Sequence, residues 1–405
     1  MPATRLVLAT LCAASLAPGT AAASADAVKI GVLTDMTGPY SGMGGPGSIV
    51  AAKMAIEDCQ KADCKGMKIE LVSADHQNKA DIGATTARRW FEEEGVTAVA
   101  DLTNSAVSLA VQKLAKEKGR IAVFSGPATT RLTNDDCSPT GFHWMFDTYA
   151  LAAGPARAIV QQPNGKTWYF LTVDYAFGHS LEKDASEVVT AGGGKVLGSS
   201  RHPLNSPDFA SFLLQAQASK AQVIGFANGS ADAVNAIKQA HEFGIIESGQ
   251  RIVPLLLFVN DVHALGLEIT QGLSFVDGFY WDIDEPARAW SQAYQARSGG
   301  NKPTMTQAGV YSSVLHYLKA VAASKTTDGA TVAKTMRQIP IRDPVMRNAS
   351  IRPDGRVIHD MYLVKVKRPS ESKGAWDYYT IVSVIPAADA FQPLDRSTCP
   401  LVAKK

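Results

Sequence analysis

Short apolar runs alternate with amphipathic stretches along most of this chain. The run Val28–Thr34 is apolar at most positions, which is typical of a strand buried on both faces of a sheet. The stretch after Ser105 instead places Val107, Val111 and Leu114 on one face at helical spacing, which predicts a helix packed on that sheet. Strands are predicted at Val28–Thr34, Lys68–Ala74, Val96–Asp101, Arg120–Ser125, Thr167–Asp174, Lys195–Gly198, Ala221–Ala227 and Arg251–Val259.

The alternation falls into two runs, and the second run restarts after Pro155. Strands that alternate with helices predict parallel sheets covered by helices on both faces. We therefore predict an α/β protein with two doubly wound lobes rather than one long sheet. The last part differs, because a long helix over Thr306–Ser324 precedes an antiparallel hairpin, Met361–Lys367 and Tyr378–Ile385, and a tail follows from Pro386.

Residues 1–25 have the pattern of a cleaved secretory signal. Arg5 precedes the apolar stretch Leu6–Leu16, and small residues follow from Ala21 to Ala25. The alternatives are a frayed apolar helix and a lipoprotein signal at Cys12, where Leu11 occupies the position that should hold a small residue. We expect the mature protein to lie outside the cytoplasm, in a periplasm.

The composition excludes several classes of partner. The 405 residues carry 40 Lys and Arg against 38 Asp and Glu, for a formal net charge of +2. No basic block stands out, so we expect no nucleic-acid partner. After the first 25 residues, no apolar run approaches the roughly 20 residues needed to cross a bilayer.

Four cysteines remain once the predicted signal is removed. An even number in an oxidising compartment predicts two disulfides, and four cysteines allow three pairings. A local bridge between Cys59 and Cys64 is easy, and Cys137 and Cys399 would then tie the tail to the first half of the chain. No metal is expected, because Cys-x-x-Cys is absent and the histidines are scattered.

Ligands of open parallel sheets bind beyond the carboxyl ends of the strands. Turns in such positions are Thr37–Gly45, Asp101–Ser105, Ser125–Thr130, Asp174–Gly178 and Asn228–Ser230. Asn104 and Ser105 begin a helix, and they either only cap it or help its N–H groups to hold an anion. Tyr175 and Phe177 follow a strand directly, so they belong to the core or line the site of an apolar ligand.

The sequence does not contain the common nucleotide-binding and catalytic motifs. The glycine-rich turn lacks both Gly-Lys-Ser/Thr and Gly-x-Gly-x-x-Gly, so no nucleotide cofactor is expected. No Gly-x-Ser-x-Gly or His-Glu-x-x-His occurs, and we expect a protein that is not an enzyme. A secreted α/β hydrolase with a dispersed Ser/His/Asp triad is the alternative from another class.

Several short motifs occur in a specific order. They are Val28–Thr34 running into Thr37-Gly38-Pro39, Gly126–Thr129 with Leu132-Thr133, Phe177-Gly178, and Ile237–Ala240 with Gly244. In this order and spacing, the chain resembles the type I periplasmic solute-binding proteins of ABC transporters. The resemblance is to the leucine/isoleucine/valine-binding branch, which includes binders of aromatic acids, and covers essentially the whole mature chain.

The resemblance implies two lobes that are joined by three crossovers and close on a ligand like a hinge. If the lobe boundaries of the family apply to this chain, lobe 1 comprises residues 28–147 and 282–357, and lobe 2 comprises residues 148–281 and 358–386. Residues 387–405 would form a tail that returns to lobe 1. The resemblance also implies a monomer without a cofactor, whose closed form docks on a membrane permease.

In the family, the lobe 1 turns hold the carboxylate and ammonium groups of the ligand. At the matching positions, Pro127 would act through its backbone carbonyl, and aromatic or apolar side chains would contact the ligand body from both lobes. The candidate ligand-binding residues are Tyr40, Met43, Asn104, Ser105, Ser125, Pro127, Ala128, Thr129, Tyr175, Phe177, Asn228 and Phe258.

One departure from the family pattern bears on the ligand. Amino-acid binders of the family carry an acidic residue after the strand that matches Arg251–Val259, whereas this stretch is apolar and ends in Phe258-Val259-Asn260. Asp174 and Asp261 are the available substitutes. Because an unpaired buried ammonium is costly, we expect a carboxylate with an uncharged hydrophobic or aromatic body. The alternatives are a hydrophobic amino acid and a sensory role that feeds a receptor.

Overall fold

The computed structural model describes residues 27–403, so the predicted signal at residues 1–25 lies outside the described residues. The strands are β1 Val28–Thr34, β2 Ile69–Asp75, β3 Ala98–Asp101, β4 Ile121–Phe124, β5 Gly141–His143, β6 Thr167–Val173, β7 Lys195–His202, β8 Val223–Ala227, β9 Arg251–Pro254, β10 Ser274–Asp277, β11 Ser350–Ile351, β12 Val357–Ile358, β13 Met361–Val366 and β14 Tyr379–Ile385. The helices are α1 Gly45–Lys61, α2 Ala80–Glu92, α3 Ser105–Glu117, α4 Thr148–Val160, α5 Ala176–Ala191, α6 Ala210–Ala218, α7 Ala231–Glu242, α8 Val259–Leu265, α9 Leu267–Thr270, α10 Glu285–Gln295, α11 Met305–Ser324, α12 Gly329–Gln338 and α13 Ala387–Ala390.

The first lobe is built on a five-stranded parallel sheet in the order β2-β1-β3-β4-β5. Helices α1 and α11 cover one face and α2 and α3 the other. Close packing is visible at Gly31, where a Cβ would lie 2.4 Å from the ring of Trp90 in α2. The β11–β12 hairpin adjoins this sheet through a bridge between His143 and Arg356.

The second lobe is built on a four-stranded parallel sheet in the order β7-β6-β8-β9. Beside it lies an antiparallel sheet in the order β10-β13-β14, which includes the predicted C-terminal hairpin. The prediction of two doubly wound parallel lobes is therefore confirmed. The chain passes between the lobes after β5, after β10 and after β12.

The strand predicted over Arg251–Val259 is shorter in the structure and ends at Pro254. Proline has no N–H for the ladder, and the carboxylate of Asp261 accepts a hydrogen bond from Phe258 N (3.0 Å), which fixes the start of α8. The second run was also predicted to restart after Pro155, but α4 already begins at Thr148 and continues through that proline.

Two disulfides join Cys59 to Cys64 and Cys137 to Cys399. The first closes a loop at the end of α1. The second disulfide brings the C-terminal end to the segment between β4 and β5. Both pairs are those expected from the sequence, where a local Cys59–Cys64 bridge leaves Cys137 and Cys399 to pair. Within residues 27–403, no helix combines the length and the apolarity needed to cross a membrane.

Candidate ligand-binding site

The carboxyl ends of the two parallel sheets meet across the interface between the lobes. The hydroxyls of Tyr40 and Tyr175 are 2.7 Å apart, and so are those of Thr129 and Ser180. In each pair, one residue comes from each lobe. The structure is therefore a closed arrangement in which strand-end turns of both lobes are in contact.

The turn after β1 is held by one carboxylate. Asp35 accepts hydrogen bonds from Gly38 N (2.7 Å), Tyr40 N (2.8 Å) and Asn78 Nδ2 (2.6 Å). This fixes the backbone so that the Tyr40 side chain is buried at the interface. Burial, together with Tyr175 and nearby carboxylates, raises the pKa of the Tyr40 hydroxyl well above its usual value, so this hydroxyl is neutral.

The turn after β3 caps α3 and reaches the next turn. Asn104 Oδ1 accepts from Ala106 N (2.9 Å) and Val107 N (3.2 Å), so its predicted capping role is confirmed. The Ser105 Oγ accepts from Ala128 N (3.4 Å) and Thr129 N (3.3 Å). A hydroxyl and two backbone N–H groups thus converge at a helix N-terminus, which is chemistry suited to a carboxylate.

Three other candidate residues are tied to the interior of the first lobe. The Pro127 carbonyl accepts from Nε2 of buried His143 (2.8 Å), and the Met43 carbonyl accepts from Thr304 Oγ1 (2.6 Å). The Ser125 hydroxyl lies 3.4 Å from that of Ser313 in α11. Ser125 therefore faces α11, whereas Ser105 and Thr129 contact each other in the turn region.

The second lobe contributes aromatic rings and one amide. The rings of Tyr175 and Phe177 lie 6.0 Å apart at the start of α5, and Phe177 is 3% exposed. Phe258 packs edge-on against Phe146 at 6.1 Å and is fully buried. Asn228 Nδ2 donates to His202 Nε2 (3.0 Å). This wall suits an apolar ligand body.

The two substitutes for a missing acidic residue are engaged elsewhere. Asp174 pairs with His179 (2.8 Å) and lies 3.7 Å from Arg201, with its side chain half exposed. The Asp261 carboxylate is turned onto the backbone of Phe258, and burial raises its pKa to about 7. Neither carboxylate is held ready for a ligand ammonium.

A buried carboxylate beneath the turns was not singled out in the sequence. Asp101 has a left-handed backbone (φ 77°), and a Cβ on Gly44 or on Gly126 would lie 2.9 Å from one of its oxygens. Burial raises the Asp101 pKa to about 6, against the opposing influence of the Ser48 and Thr34 hydroxyls. An acidic residue that ends an apolar strand between two glycine-containing turns was the available signal.

The sequence also gave no indication of the contacts that α5 makes with the first lobe. Asp184 Oδ2 accepts from Thr130 Oγ1 of the first lobe (3.3 Å) and from Thr148 Oγ1 at the start of α4 (2.5 Å), and burial raises the Asp184 pKa to about 6. Ser180 and Asp184 are one helical turn apart on α5, next to the turn that carries Thr129. They join the lobes beside the candidate carboxylate site.

The chain belongs to the periplasmic binding protein family, whose model matches residues 27–375. Among solved structures, it is similar to a periplasmic binding protein from Burkholderia mallei, with 49% identity, a TM-score of 0.90 and coverage of 93% of this chain and 100% of that one. A branched-chain amino acid ABC transporter periplasmic ligand-binding protein from Burkholderia xenovorans is 38% identical, with a TM-score of 0.82 and coverage of 93% and 100%.

A solute-binding protein from R. palustris in complex with benzoate shares the fold at 18% identity, with a TM-score of 0.79 and coverage of 92% and 99%. No curated protein sequence matches this chain. Members of the family are solute-binding proteins, and membership implies a periplasmic location.

Proposed function

We propose that this protein is the substrate-binding component of an ABC importer that captures a small carboxylate with a hydrophobic or aromatic body. The solute would lie between the lobes. Its carboxylate would meet Ser105 Oγ and the backbone N–H groups of Ala128 and Thr129. Its apolar part would meet Tyr175 and Phe177. Closure would then present a surface formed by both lobes to a permease.

The observation that carries this proposal is the contrast between the two walls. The first lobe offers a hydroxyl, two backbone N–H groups and the positive end of α3. The second lobe offers aromatic rings, and Asp174 and Asp261 are already paired. One wall is suited to an anion and the other to an uncharged body.

Closure would be a population shift that the ligand drives through contacts it makes only in the closed state. Micromolar affinity requires about −8 kcal/mol, which one buried carboxylate and one buried ring can supply. The benzoate complex of the R. palustris protein is an example of this ligand class on the same fold.

A hydrophobic amino acid is the second candidate, and the resemblance to the B. xenovorans protein favours it. That ligand would need a partner for its ammonium group. Asp184 and Asp101 are buried carboxyls near the turns, and burial raises the pKa of each to about 6, so both are mostly ionised at neutral pH and either would serve as that partner.

Isothermal titration calorimetry with benzoate, 4-hydroxybenzoate, leucine and valine separates the two candidates. The ligand-free protein should be prepared by unfolding and refolding to remove any bound solute. We expect micromolar binding of at least one aromatic acid and binding of leucine and valine at least tenfold weaker. Leucine binding without aromatic-acid binding would overturn the proposed ligand class.

A further inference from the structure

The C-terminal tail, residues 387–403, contacts the two lobes in alternation. The Asp389 carbonyl accepts a hydrogen bond from Arg157 Nη1 in α4 of the second lobe (3.3 Å). Three residues later, the Gln392 carbonyl accepts from Arg352 Nη1 (2.7 Å) and the Gln392 side chain accepts from Asn134 Nδ2 (3.1 Å). Arg352 and Asn134 belong to the first lobe.

The tail then contacts the second lobe again and afterwards returns to the first lobe. Arg396 Nη2 pairs with Glu187 Oε2 of α5 in the second lobe at 3.0 Å. Thr398 N donates to Asn134 Oδ1 (3.1 Å) in the first lobe. The disulfide between Cys399 and Cys137 fixes the end of the tail to that lobe. Separation of the lobes must therefore break or stretch some of these contacts.

Helix α5 is the part of the second lobe that the end of the tail holds. Ser180, Asp184 and Glu187 follow one another at helical spacing, so they share one face of α5. Ser180 and Asp184 bond the turn that carries Thr129. Glu187 pairs with Arg396. The helix face that meets the candidate ligand turn is thus also held by the tail.

We propose that residues 387–403 form a strap that biases the two lobes toward the closed arrangement, with the Cys137–Cys399 disulfide as its fixed end. An ion pair as exposed as Arg396–Glu187 contributes little by itself. With Cys399 bonded to the first lobe, however, Arg396 stays close to α5, and the contact forms at a high effective concentration. Without the disulfide, the tail can move away together with the second lobe.

Hydrogen–deuterium exchange of the ligand-free protein tests the strap without reference to any solute. One variant carries Cys137→Ser with Cys399→Ser, and the matched control carries Cys59→Ser with Cys64→Ser. Each variant loses one disulfide, but only the first loses the anchor. We expect amides in Ala176–Ala191 and 126–133 to exchange at least about threefold faster in the first variant and at native rates in the control, because local opening controls exchange.

Arg396→Gln provides a second test, because it keeps both disulfides and changes one exposed side chain. We expect a smaller acceleration, confined to α5 and the same turn, and a larger radius of gyration in small-angle X-ray scattering. Native exchange rates at α5 in both tail variants would overturn the proposal, as would an equal acceleration in the Cys59 and Cys64 control. Neither outcome depends on whether the proposed ligand class is correct.

Discussion

At the scale of single residues, Ser105 links two turns of the candidate site. Its hydroxyl accepts from the N–H groups of Ala128 and Thr129, and in the proposed complex it would donate its own hydrogen to the ligand carboxylate. The side chain is 1% exposed, so it has no alternative partner in water. Its proposed role as a ligand contact is therefore open to a direct test.

We expect Ser105→Ala to weaken binding of an aromatic acid by roughly ten- to a hundredfold, because a hydrogen bond to a charged group contributes about 1.5–3 kcal/mol. Calorimetry measures the dissociation constant. Ser248→Ala, in an exposed loop of the second lobe, is the matched control and should leave affinity unchanged. An undiminished affinity in Ser105→Ala would remove this residue from the site.

Another residue-scale prediction concerns Asp277, which is 2% exposed and accepts from Phe279 N (3.0 Å). Burial raises its pKa to about 7, against about 3.9 in an unfolded chain. The folded protein therefore holds this proton over a pH range in which the unfolded chain has lost it. The contribution of Asp277 to the free energy of unfolding must then fall as pH rises from about 4 to about 7.

Asp277→Asn keeps the acceptor for Phe279 N and removes the ionisation. We expect the variant to be more stable than the native protein at pH 8, by on the order of 4 kcal/mol, and nearly equal to it at pH 4. Melting temperatures across this range measure the difference. Asp63→Asn, in an exposed loop, is the control, and an unchanged pH slope in Asp277→Asn would contradict the assignment.

At the scale of elements, the connections between the lobes depend on one buried guanidinium. Arg356 follows β11 and donates to the carbonyls of Met145 (2.6 Å), Phe146 (3.2 Å) and Trp144 (3.3 Å), which follow β5. It is fully buried, and the ring of Phe391 lies over it at 4.2 Å. Two of the three passages between lobes are thus joined through Arg356.

We expect Arg356→Lys to lower the free energy of unfolding by about 2–3 kcal/mol, because an ammonium cannot reach carbonyls that a planar fork spans. Urea denaturation provides the measurement. Arg251→Lys, at an exposed position, should change stability by less than about 0.5 kcal/mol. Equal stability of the two variants would mean that the connections between the lobes do not depend on the hydrogen bonds of the Arg356 guanidinium.

Elements also show how far the sequence could predict the fold. Buried strands such as β1 and β6 were evident because apolar runs recur at regular intervals. The end of β9 was misplaced because apolar residues continue from Pro254 to Val259 into a loop and helix, where periodicity cannot separate them. The short strands β5 and β10 were missed because each contains only one or two large apolar residues, whereas the four-residue strands β3 and β4 are almost entirely apolar.

The candidate site was predictable only where it depends on local order. Asn104 and Ser105 were evident from their position at the start of a helical stripe. The pairing of Thr129 with Ser180 and of Arg396 with Glu187 depends on how the lobes meet, and this leaves no local pattern. For the same reason, the sequence did not show that Ser125 faces α11.

At the scale of the whole molecule, the proposed function requires two lobes that trap one solute at the facing carboxyl ends of their sheets. The lobe boundaries, the monomeric state and the removal of residues 1–25 stay predictions. The family relationship and the two parallel sheets are consistent with this mode of action. The location of the solute is the claim on which the proposed function depends.

A crystal structure of the protein grown with benzoate tests that claim most directly. We predict benzoate between the lobes, with its carboxylate within hydrogen-bond distance of Ser105 Oγ and Thr129 N and its ring against Phe177. Benzoate bound elsewhere, or bound with its carboxylate toward Phe177, would contradict the account. An empty cleft at saturating benzoate would contradict it as well.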